Sequence, residues 1–357
     1  MEAKKELHGL TIFRFVAAFY VFIFHCNIRY GIDFRNYVGI EANDFIIKFL
    51  KNGAVGMSFF FVLSGFVLAY ASRNGIRNDY FLSRIARIYP AYIALGIITL
   101  PFIFIYDMKH VMAYLALFIT STQSWFAGSF TAWNFSGSWS VSTEMFFYVT
   151  FPFLFPVIKR NPYTALTLAI IASSLISPIS NIVDSKIGQP VYQIYISPIH
   201  RLPEFIAGVS LGCMYVRGFR IERFKQTILF CSVICLVLFS PMDNTGWIRN
   251  NIITIPATCY LVYYFATANI NSNILSAPFI YLGRISYSFY LMQIPIMLYL
   301  VRYMPFLDNL ATYEKWIVLF AINTLLASIC YHLVEDNRKI RTLILGFQKT
   351  PAMSNYS

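Results

Sequence analysis

The chain has 357 residues, of which 58% are hydrophobic and only 12% carry a charged side chain. Globular proteins contain about twice that share of charged residues, so a chain this apolar cannot cover its surface with polar groups. The composition excludes a soluble cytosolic enzyme, a disordered chain and a small disulfide-stapled domain, and it indicates a lipid bilayer as the surrounding medium. The net charge of +12 fits basic cytoplasmic loops, so we expect no nucleic-acid partner.

Apolar stretches long enough to cross a bilayer recur along the whole sequence. A hydrocarbon core of roughly 30 Å requires about 20 helical residues. The stretches predicted to span are 10–28, 54–72, 88–106, 141–158, 163–181, 202–216, 226–241, 251–270, 284–302 and 315–334. The N-terminus resembles a signal peptide, but Arg14 interrupts the apolar run and no small-residue cleavage site follows. We therefore expect a retained first helix.

A further apolar stretch, residues 111–126, is short, and the charge of the loops decides whether it spans. If it does not span, most of the 28 basic residues fall on the cytoplasmic side, as the positive-inside rule requires. The sequence therefore predicts an all-α polytopic membrane protein with about ten transmembrane helices and both termini cytoplasmic. Residues 111–126 would lie in or re-enter the outer face. We expect one membrane domain over residues 1–349, followed by a short polar tail, 350–357.

Two ionisable residues, Arg14 and His25, lie in the first predicted span. Their eleven-residue separation is about 16 Å along a helix, close to three turns, so both face the same side. Taken alone, Arg14 is compatible with a side chain that snorkels to the headgroups, and His25 with a neutral side chain bonded to another helix. Together they indicate a polar path across the membrane, in which His25 is able to exchange a proton near neutral pH.

A basic segment follows the second span and ends in Arg84 and Arg87, which are three residues apart and share a helix face. Two guanidinium groups beside aromatic residues suit a pyrophosphate or a phosphate monoester. The alternative is that both arginines only anchor a cytoplasmic loop.

The segment 137–144 opens the fourth span with a serine-rich run that ends in a carboxylate. Ser140 or Ser142 is placed to cap the helix, and Trp139 belongs at the membrane interface. Glu144 lies one turn further inside, where a carboxylate has to be protonated or paired. Simple capping chemistry is the alternative for this segment.

Other small or polar residues within the spans indicate packing. Ser64 and Gly65 form a small pair that lets another helix backbone approach closely. Arg201 and Glu204 open the sixth span as a structural ion pair. The six cysteines lie in or beside apolar stretches without a C-x-x-C pair, so we expect buried thiols and no metal site.

Taken together, these motifs resemble those of acyltransferase family 3. The resemblance rests on Arg-x10-His in the first span, Phe-Phe-x-x-Ser-Gly in the second, Arg-x-x-Arg-x-x-Pro before the third, Trp-Ser-x-Ser-x-Glu-x-x-Phe-Tyr over 139–148, the segment 201–212, and Gly-x-Ile-Ser-Tyr-x-x-Tyr-Leu over 283–291. Each motif is weak alone, but the ordered set covers nearly the whole chain and is specific.

The resemblance implies an O-acetyltransferase in the bacterial cytoplasmic (inner) membrane. Such an enzyme takes an acyl group, usually acetyl, from acetyl-CoA on the cytoplasmic side and needs no metal. It delivers the group to a hydroxyl of an envelope polysaccharide or lipid-linked glycan, of the O-antigen or exopolysaccharide type. The acceptor itself is not specified by the sequence.

The motifs also imply roles for individual residues. By this correspondence the site comprises His25, Glu144 and Arg14 for the transfer, Arg84 and Arg87 for the coenzyme A phosphates, and Trp139, Ser140 and Ser142 for the acceptor. In this hypothesis His25 is the general base for the acceptor hydroxyl, or briefly holds the acyl group, and a carboxylate such as Glu144 orients it.

The sequence departs from the family at Gln293, where many relatives have a histidine. Glutamine cannot usefully take up a proton, which argues against a mechanism that needs a second histidine there. Some members carry an appended hydrolase-like domain that finishes the transfer. We expect no such domain in this sequence, so either the membrane domain completes the transfer or a partner protein does. The alternative function is a transporter or flippase for a polar or lipid-linked substrate, although the sequence shows no inverted repeat.

Overall fold

The computed structural model describes residues 6–29, 53, 55–103, 107–126, 129, 138–187, 192–239, 251–304, 307 and 309–346. Every regular element within these residues is helical. The expected polar tail, 350–357, lies outside them. The helices in chain order are α1 (His8–Arg29), α2 (Val55–Ala71), α3 (Tyr80–Ile103), α4 (Met108–Thr120), α5 (Trp139–Arg160), α6 (Pro162–Ile187), α7 (Tyr192–Ile196), α8 (Pro198–Val216), α9 (Lys225–Phe239), α10 (Asn251–Thr267), α11 (Ala277–Tyr303), α12 (Thr312–Cys330) and α13 (Arg338–Gly346).

Each of the ten predicted spans coincides with one of these helices, namely α1, α2, α3, α5, α6, α8, α9, α10, α11 and α12. In the described part of the chain, four segments are long and apolar enough to cross a membrane: His8–Cys26, Tyr80–Phe102, Trp139–Arg160 and Tyr313–Gly346. The shorter apolar helices are Val55–Ala71, Met108–Thr120, Pro162–Ile176 and Lys225–Leu238. The protein is therefore an all-α protein with membrane-spanning helices.

Helices α1 and α11 pack side by side and run in the same direction. Near their N-terminal ends they touch so closely that a Cβ added to Gly283 would lie 2.0 Å from the carbonyl oxygen of Thr11. Further along both helices, His25 is hydrogen-bonded to Gln293. Because both contacts follow the same order along the two helices, α1 and α11 are parallel.

Helices α2 and α8 are also parallel and approach each other closely at two glycines. A Cβ on Gly208 would lie 1.9 Å from the carbonyl oxygen of Val62, and one on Gly212 would lie 2.7 Å from that of Phe66. Since neither position has space for a side chain, the glycines are what allow the two backbones to approach.

The small pair predicted in α2 serves two purposes. Gly65 packs against α8, where an added Cβ would lie 2.2 Å from the carbonyl oxygen of Phe205. Ser64, its neighbour, points to α5 instead and donates a hydrogen bond of 3.0 Å to Glu144. The prediction of close helix packing is confirmed for Gly65, and Ser64 belongs to the polar site described below.

The predicted ion pair of α8 is confirmed. Arg201 and Glu204 lie 2.7 Å apart, and each side chain is 1% exposed. The Ser58 hydroxyl of α2 donates to the same carboxylate oxygen at 3.3 Å. The Arg201 guanidinium also lies 5.6 Å from the ring centre of Trp139 and 4.9 Å from that of Tyr195. The pair therefore ties α2, α5 and α7 to the start of α8.

The apolar stretch predicted at 111–126 forms α4 and a short 3-10 helix. The 13 residues of α4 extend about 20 Å, less than the thickness of a bilayer core. Ser121 ends α4 in the left-handed conformation with φ of 55°. Buried Gln123 then donates to the hydroxyl of Tyr92 at 2.9 Å and to the carbonyl of Ser138 at 3.0 Å. The segment is thereby held between α3 and α5.

The cysteines only partly follow the expectation of buried thiols. Cys26, Cys213, Cys259 and Cys330 are buried, whereas Cys231 is exposed and Cys235 is half-buried. Both of these lie on α9, a helix that packs mainly against α10. Apolar surroundings in sequence did not distinguish a protein core from a lipid-facing surface, because both are equally apolar.

Candidate active site

A narrow cavity of about 130 Å³ lies between α1, α2, α3, α5 and α11. Most of its wall is apolar and aromatic. The polar residues in the wall are Arg14, Ser64, Arg84, Arg87, Ser140, Glu144, Tyr148, Ser286, Tyr287 and Tyr290. The structure therefore brings together four of the residues predicted for transfer and donor binding, which come from three different helices.

A second and larger space, which we call the arginine cavity, has a volume of about 450 Å³. Five arginines line it, together with three carboxylates: Arg14, Arg84, Arg87, Arg284, Arg341, Glu6, Glu335 and Asp336. Arg14, Arg84 and Arg87 also belong to the wall of the narrow cavity. The two cavities therefore meet at these three arginines.

The three shared arginines form a cationic junction between the cavities. Arg84 and Arg87 line the same spaces, as their three-residue spacing predicts, and Arg14 of α1 lines both cavities with them. None of the three forms an ion pair within 4.0 Å with a carboxylate of the described residues. The buried Nε of Arg84 also has no hydrogen-bond partner in the same part of the chain. Such an arrangement suits a phosphate-bearing ligand.

Glu144 lies in the wall of the narrow cavity and is held by two hydroxyl groups. Ser64 of α2 donates to its Oε1 at 3.0 Å, and Tyr148, one turn along α5, donates to the same oxygen. The expectation that this carboxylate is paired is met by hydroxyl groups. The sequence reasoning missed Tyr148, although its i+4 spacing from Glu144 places the two on one helix face.

His25 is half-buried and lies outside the walls of both cavities. Its Nδ1 is 3.2 Å from Oε1 of Gln293, and Nε2 of Gln293 donates to the carbonyl oxygen of Tyr290 at 2.9 Å. Tyr290 is part of the wall of the narrow cavity. The connection between His25 and the cavity therefore runs along one face of α11.

This hydrogen-bond pattern determines the proton positions on the imidazole. A carbonyl oxygen only accepts, so the Gln293 amide must turn its NH₂ group to Tyr290 and its oxygen to His25. The Nδ1 of His25 then carries a proton, and in the neutral ring Nε2 carries the lone pair. Gln293 thus cannot replace a second histidine as a proton carrier, but it does select the tautomer that a general base requires.

The three residues predicted to bind the acceptor lie in different surroundings. Ser140 lines the narrow cavity and lies 3.0 Å from the hydroxyl of Tyr290. Ser142 instead faces the 3-10 helix, with its Oγ 2.6 Å from that of Ser124, and Trp139 is buried against Arg201. Only Ser140 is therefore in the wall of a described cavity.

The prediction that Ser140 or Ser142 caps α5 is wrong. The helix begins at Trp139, its N-cap is Ser138, and no side-chain capping hydrogen bond is present there. Both predicted serines lie within the first turn, where their hydroxyls bond to neighbouring helices. The sequence gives several serines in a row, and tertiary contacts decide which of them opens the helix.

Glu335 is a site residue that the sequence analysis did not single out. It lies in a π-helical turn, Tyr331–Glu335, and its carboxylate accepts a hydrogen bond of 2.6 Å from Ser288 of α11. Single π-helical turns occur frequently at functional sites. The signal in the sequence was a carboxylate at the end of an otherwise apolar span. Among the described residues, no three His, Cys, Asp or Glu side chains converge as metal ligands.

Comparison with known proteins adds to this geometry. Over 231 residues the chain is 27% identical to the acyltransferase MdmB of Streptomyces mycarofaciens, which covers 60% of this chain and 58% of that protein. Over an alignment of 368 positions it is 22% identical to the O-acetyltransferase OatA of Staphylococcus aureus strain NCTC 8325. The alignment covers 94% of this chain and 57% of that protein. The chain thus spans somewhat more than half the length of these relatives. No solved structure matches it.

The family match extends over nearly all of the helices that build the two cavities. Residues 7–332 match the family described as the acyltransferase domain, so α1 to α12 and the arginines at the cavity junction fall inside the match. The motifs that first indicated this resemblance lie in the same range. The chain belongs to acyltransferase family 3.

Proposed function

We propose that the protein is a membrane O-acetyltransferase that transfers an acetyl group from acetyl-CoA to a hydroxyl of an envelope carbohydrate. The observation that carries this proposal is the junction of the two cavities. Arg14, Arg84 and Arg87 concentrate positive charge where a wide polar space narrows into an aromatic one. Acetyl-CoA has a matching sequence of groups, with anionic phosphates followed by a slender arm that ends in the thioester.

The transfer itself requires little activation of the donor, because a thioester is already reactive. The acceptor oxygen forms a bond to the acetyl carbon, the carbon–sulfur bond breaks, and the thiolate takes up a proton. The acceptor hydroxyl must lose its proton in the same step. We assign the acceptance of that proton to Nε2 of His25, since Gln293 accepts from Nδ1. His25 lies outside the wall of the narrow cavity, so this assignment requires the thioester end of the donor to extend past Tyr290.

Glu144 and Tyr148 have a positioning role in this proposal. They form a hydrogen-bonded pair in the wall of the narrow cavity, with Ser64 on the same carboxylate oxygen. A carboxylate opposite three arginines also keeps the junction from being uniformly positive. Its charge favours a donor that brings its phosphates to the arginines and its neutral arm to Glu144.

The directions of the helices support the ten-span arrangement. If α4 and the five-residue α7 do not span, three helices separate α2 from α8, and seven separate α1 from α11. An odd number of intervening crossings makes two spans parallel, as both pairs are. Counting α4 would make both numbers even and would require antiparallel pairs. The same arrangement places Arg84 and Arg87 on the cytoplasmic side, where acetyl-CoA is available.

The test is transfer of labelled acetyl from acetyl-CoA by isolated membranes, followed by release of the label from carbohydrate with mild base. We expect His25→Ala to lower transfer by about 10²- to 10⁴-fold. Replacing both Arg84 and Arg87 with Gln should chiefly raise the KM for acetyl-CoA. Arg77→Gln is the matched control. Arg77 is exposed, lies just before the same helix, and pairs with Asp79.

Two outcomes would overturn the proposal. Wild-type membranes that neither bind acetyl-CoA nor release coenzyme A would remove the donor from the scheme. Transport of a polar or lipid-linked solute without any ester formation would indicate a transporter or flippase. Full activity of the His25→Ala variant would exclude His25 as the base while leaving the enzyme class intact.

A further inference from the structure

The five arginines of the arginine cavity fall into two groups by position. Arg14, Arg84 and Arg87 line both cavities and therefore lie at their junction. Arg284 and Arg341 line the arginine cavity but not the narrow one, so they lie outside the junction. We call these two residues the outer arginines. They come from α11 and α13, whereas the motif residues Arg84 and Arg87 come from α3.

The outer arginines are placed to exchange partners. Arg284 pairs with Glu6 at 3.1 Å, and their side chains are 50% and 44% exposed. An ion pair this open to solvent contributes little to stability, so a phosphate is able to displace Glu6. Arg341 is exposed, and in the described part of the chain its guanidinium forms no ion pair with a carboxylate.

A second group of arginines requires a second anionic group on the ligand. On coenzyme A, the thioester arm leads to the diphosphate, and the diphosphate leads to a ribose that bears a separate 3′-phosphate. If the arm occupies the narrow cavity, the diphosphate meets the junction, and the 3′-phosphate lies further out. The order of groups along the donor thus matches the order of the two arginine groups along the cavities.

We propose that Arg284 and Arg341 bind the 3′-phosphate of the donor nucleotide and thereby select coenzyme A over its 3′-dephospho form. This inference rests on the proposed function, because it takes acetyl-CoA as the donor. It adds a specificity contact made outside the Arg84–Arg87 motif of α3. It also gives α13, which packs against α3, a role in donor binding.

The experiment compares the binding of coenzyme A and 3′-dephospho-coenzyme A to purified full-length protein by calorimetry. The wild type should bind coenzyme A roughly tenfold more tightly, as expected for charge-assisted contacts at a solvent-exposed site. The Arg284→Gln/Arg341→Gln variant should lose that preference and bind 3′-dephospho-coenzyme A as the wild type does, which also shows that it is folded. The control is Arg223→Gln/Lys339→Gln. It removes two exposed charges that line neither the narrow cavity nor the arginine cavity, and it should keep the preference.

The outcomes separate this inference from the proposed function. If the wild type binds both nucleotides equally, the outer arginines have no such role, and acetyl-CoA remains the donor. If the double variant keeps the wild-type preference, other residues bind the 3′-phosphate and the inference is wrong. If the wild type binds neither nucleotide, the proposed donor falls, and the inference falls with it.

Discussion

Gln293 shows how one neutral side chain determines the chemistry of another. Its amide is fixed by donation to the Tyr290 carbonyl at 2.9 Å, so the oxygen that faces His25 accepts from Nδ1. A carboxylate partner would favour the imidazolium, whereas an amide orients the ring without adding charge. The histidine expected at this position from the family is therefore not required for His25 to present a lone pair at Nε2.

We predict that Gln293→Leu lowers acetyl transfer by about tenfold, because the imidazole loses one oriented hydrogen bond worth roughly 1 kcal/mol or slightly more. The measurement is the rate of transfer at saturating acetyl-CoA, where a defect in donor binding would not contribute. Gln293→His should recover much of the loss relative to the leucine variant, since a ring nitrogen also accepts from Nδ1. A leucine variant with wild-type rate would show that Gln293 does not position His25.

At the level of helices, the contact between α2 and α8 depends on positions that tolerate no side chain. A Cβ on Gly208 would lie 1.9 Å from a backbone oxygen, which cannot move without shifting the helix. Gly208→Ala should therefore destabilise the protein by about 1–3 kcal/mol or more, measured as thermal unfolding in detergent. Gly346→Ala is the control, because nothing lies within 4 Å of that position. Equal melting temperatures for the two variants would contradict the close packing.

The buried pair at the start of α8 leads to a different prediction. Arg201→Met leaves Glu204 charged in a site where each side chain is 1% exposed, so we expect a loss of about 3–5 kcal/mol. The double variant Arg201→Met/Glu204→Leu should recover a large part of that loss, because no charge then remains buried without its partner. Denaturant or thermal unfolding of the two variants checks the difference. Additive losses would mean that the pair is not coupled.

The sequence predicted the helices well and the contacts between them only in part. Long apolar runs identified ten helices, because hydrophobicity over about 20 residues depends on local sequence alone. The pairing of Arg201 with Glu204 was also local, at a spacing of three residues. The partners of His25, Ser64 and Ser142 were not predictable, because each lies on another helix and depends on how the helices pack. Similarly, the N-cap of α5 was decided by tertiary contacts.

For the whole molecule, the parallel pairs of helices make a prediction about sidedness. If α4 does not cross the membrane, the exposed residues Asn74, after α2, and Lys339, in α13, should lie on the same side. Single cysteines at these positions, in a chain whose six native cysteines are replaced by alanine, should both be protected from an impermeant maleimide in right-side-out vesicles and react after permeabilisation. A cysteine at Lys109, in the first turn of α4, should react without permeabilisation. If Asn74→Cys and Lys339→Cys differ in accessibility, α4 spans the membrane, and the two arginine groups could not share one cytoplasmic cavity.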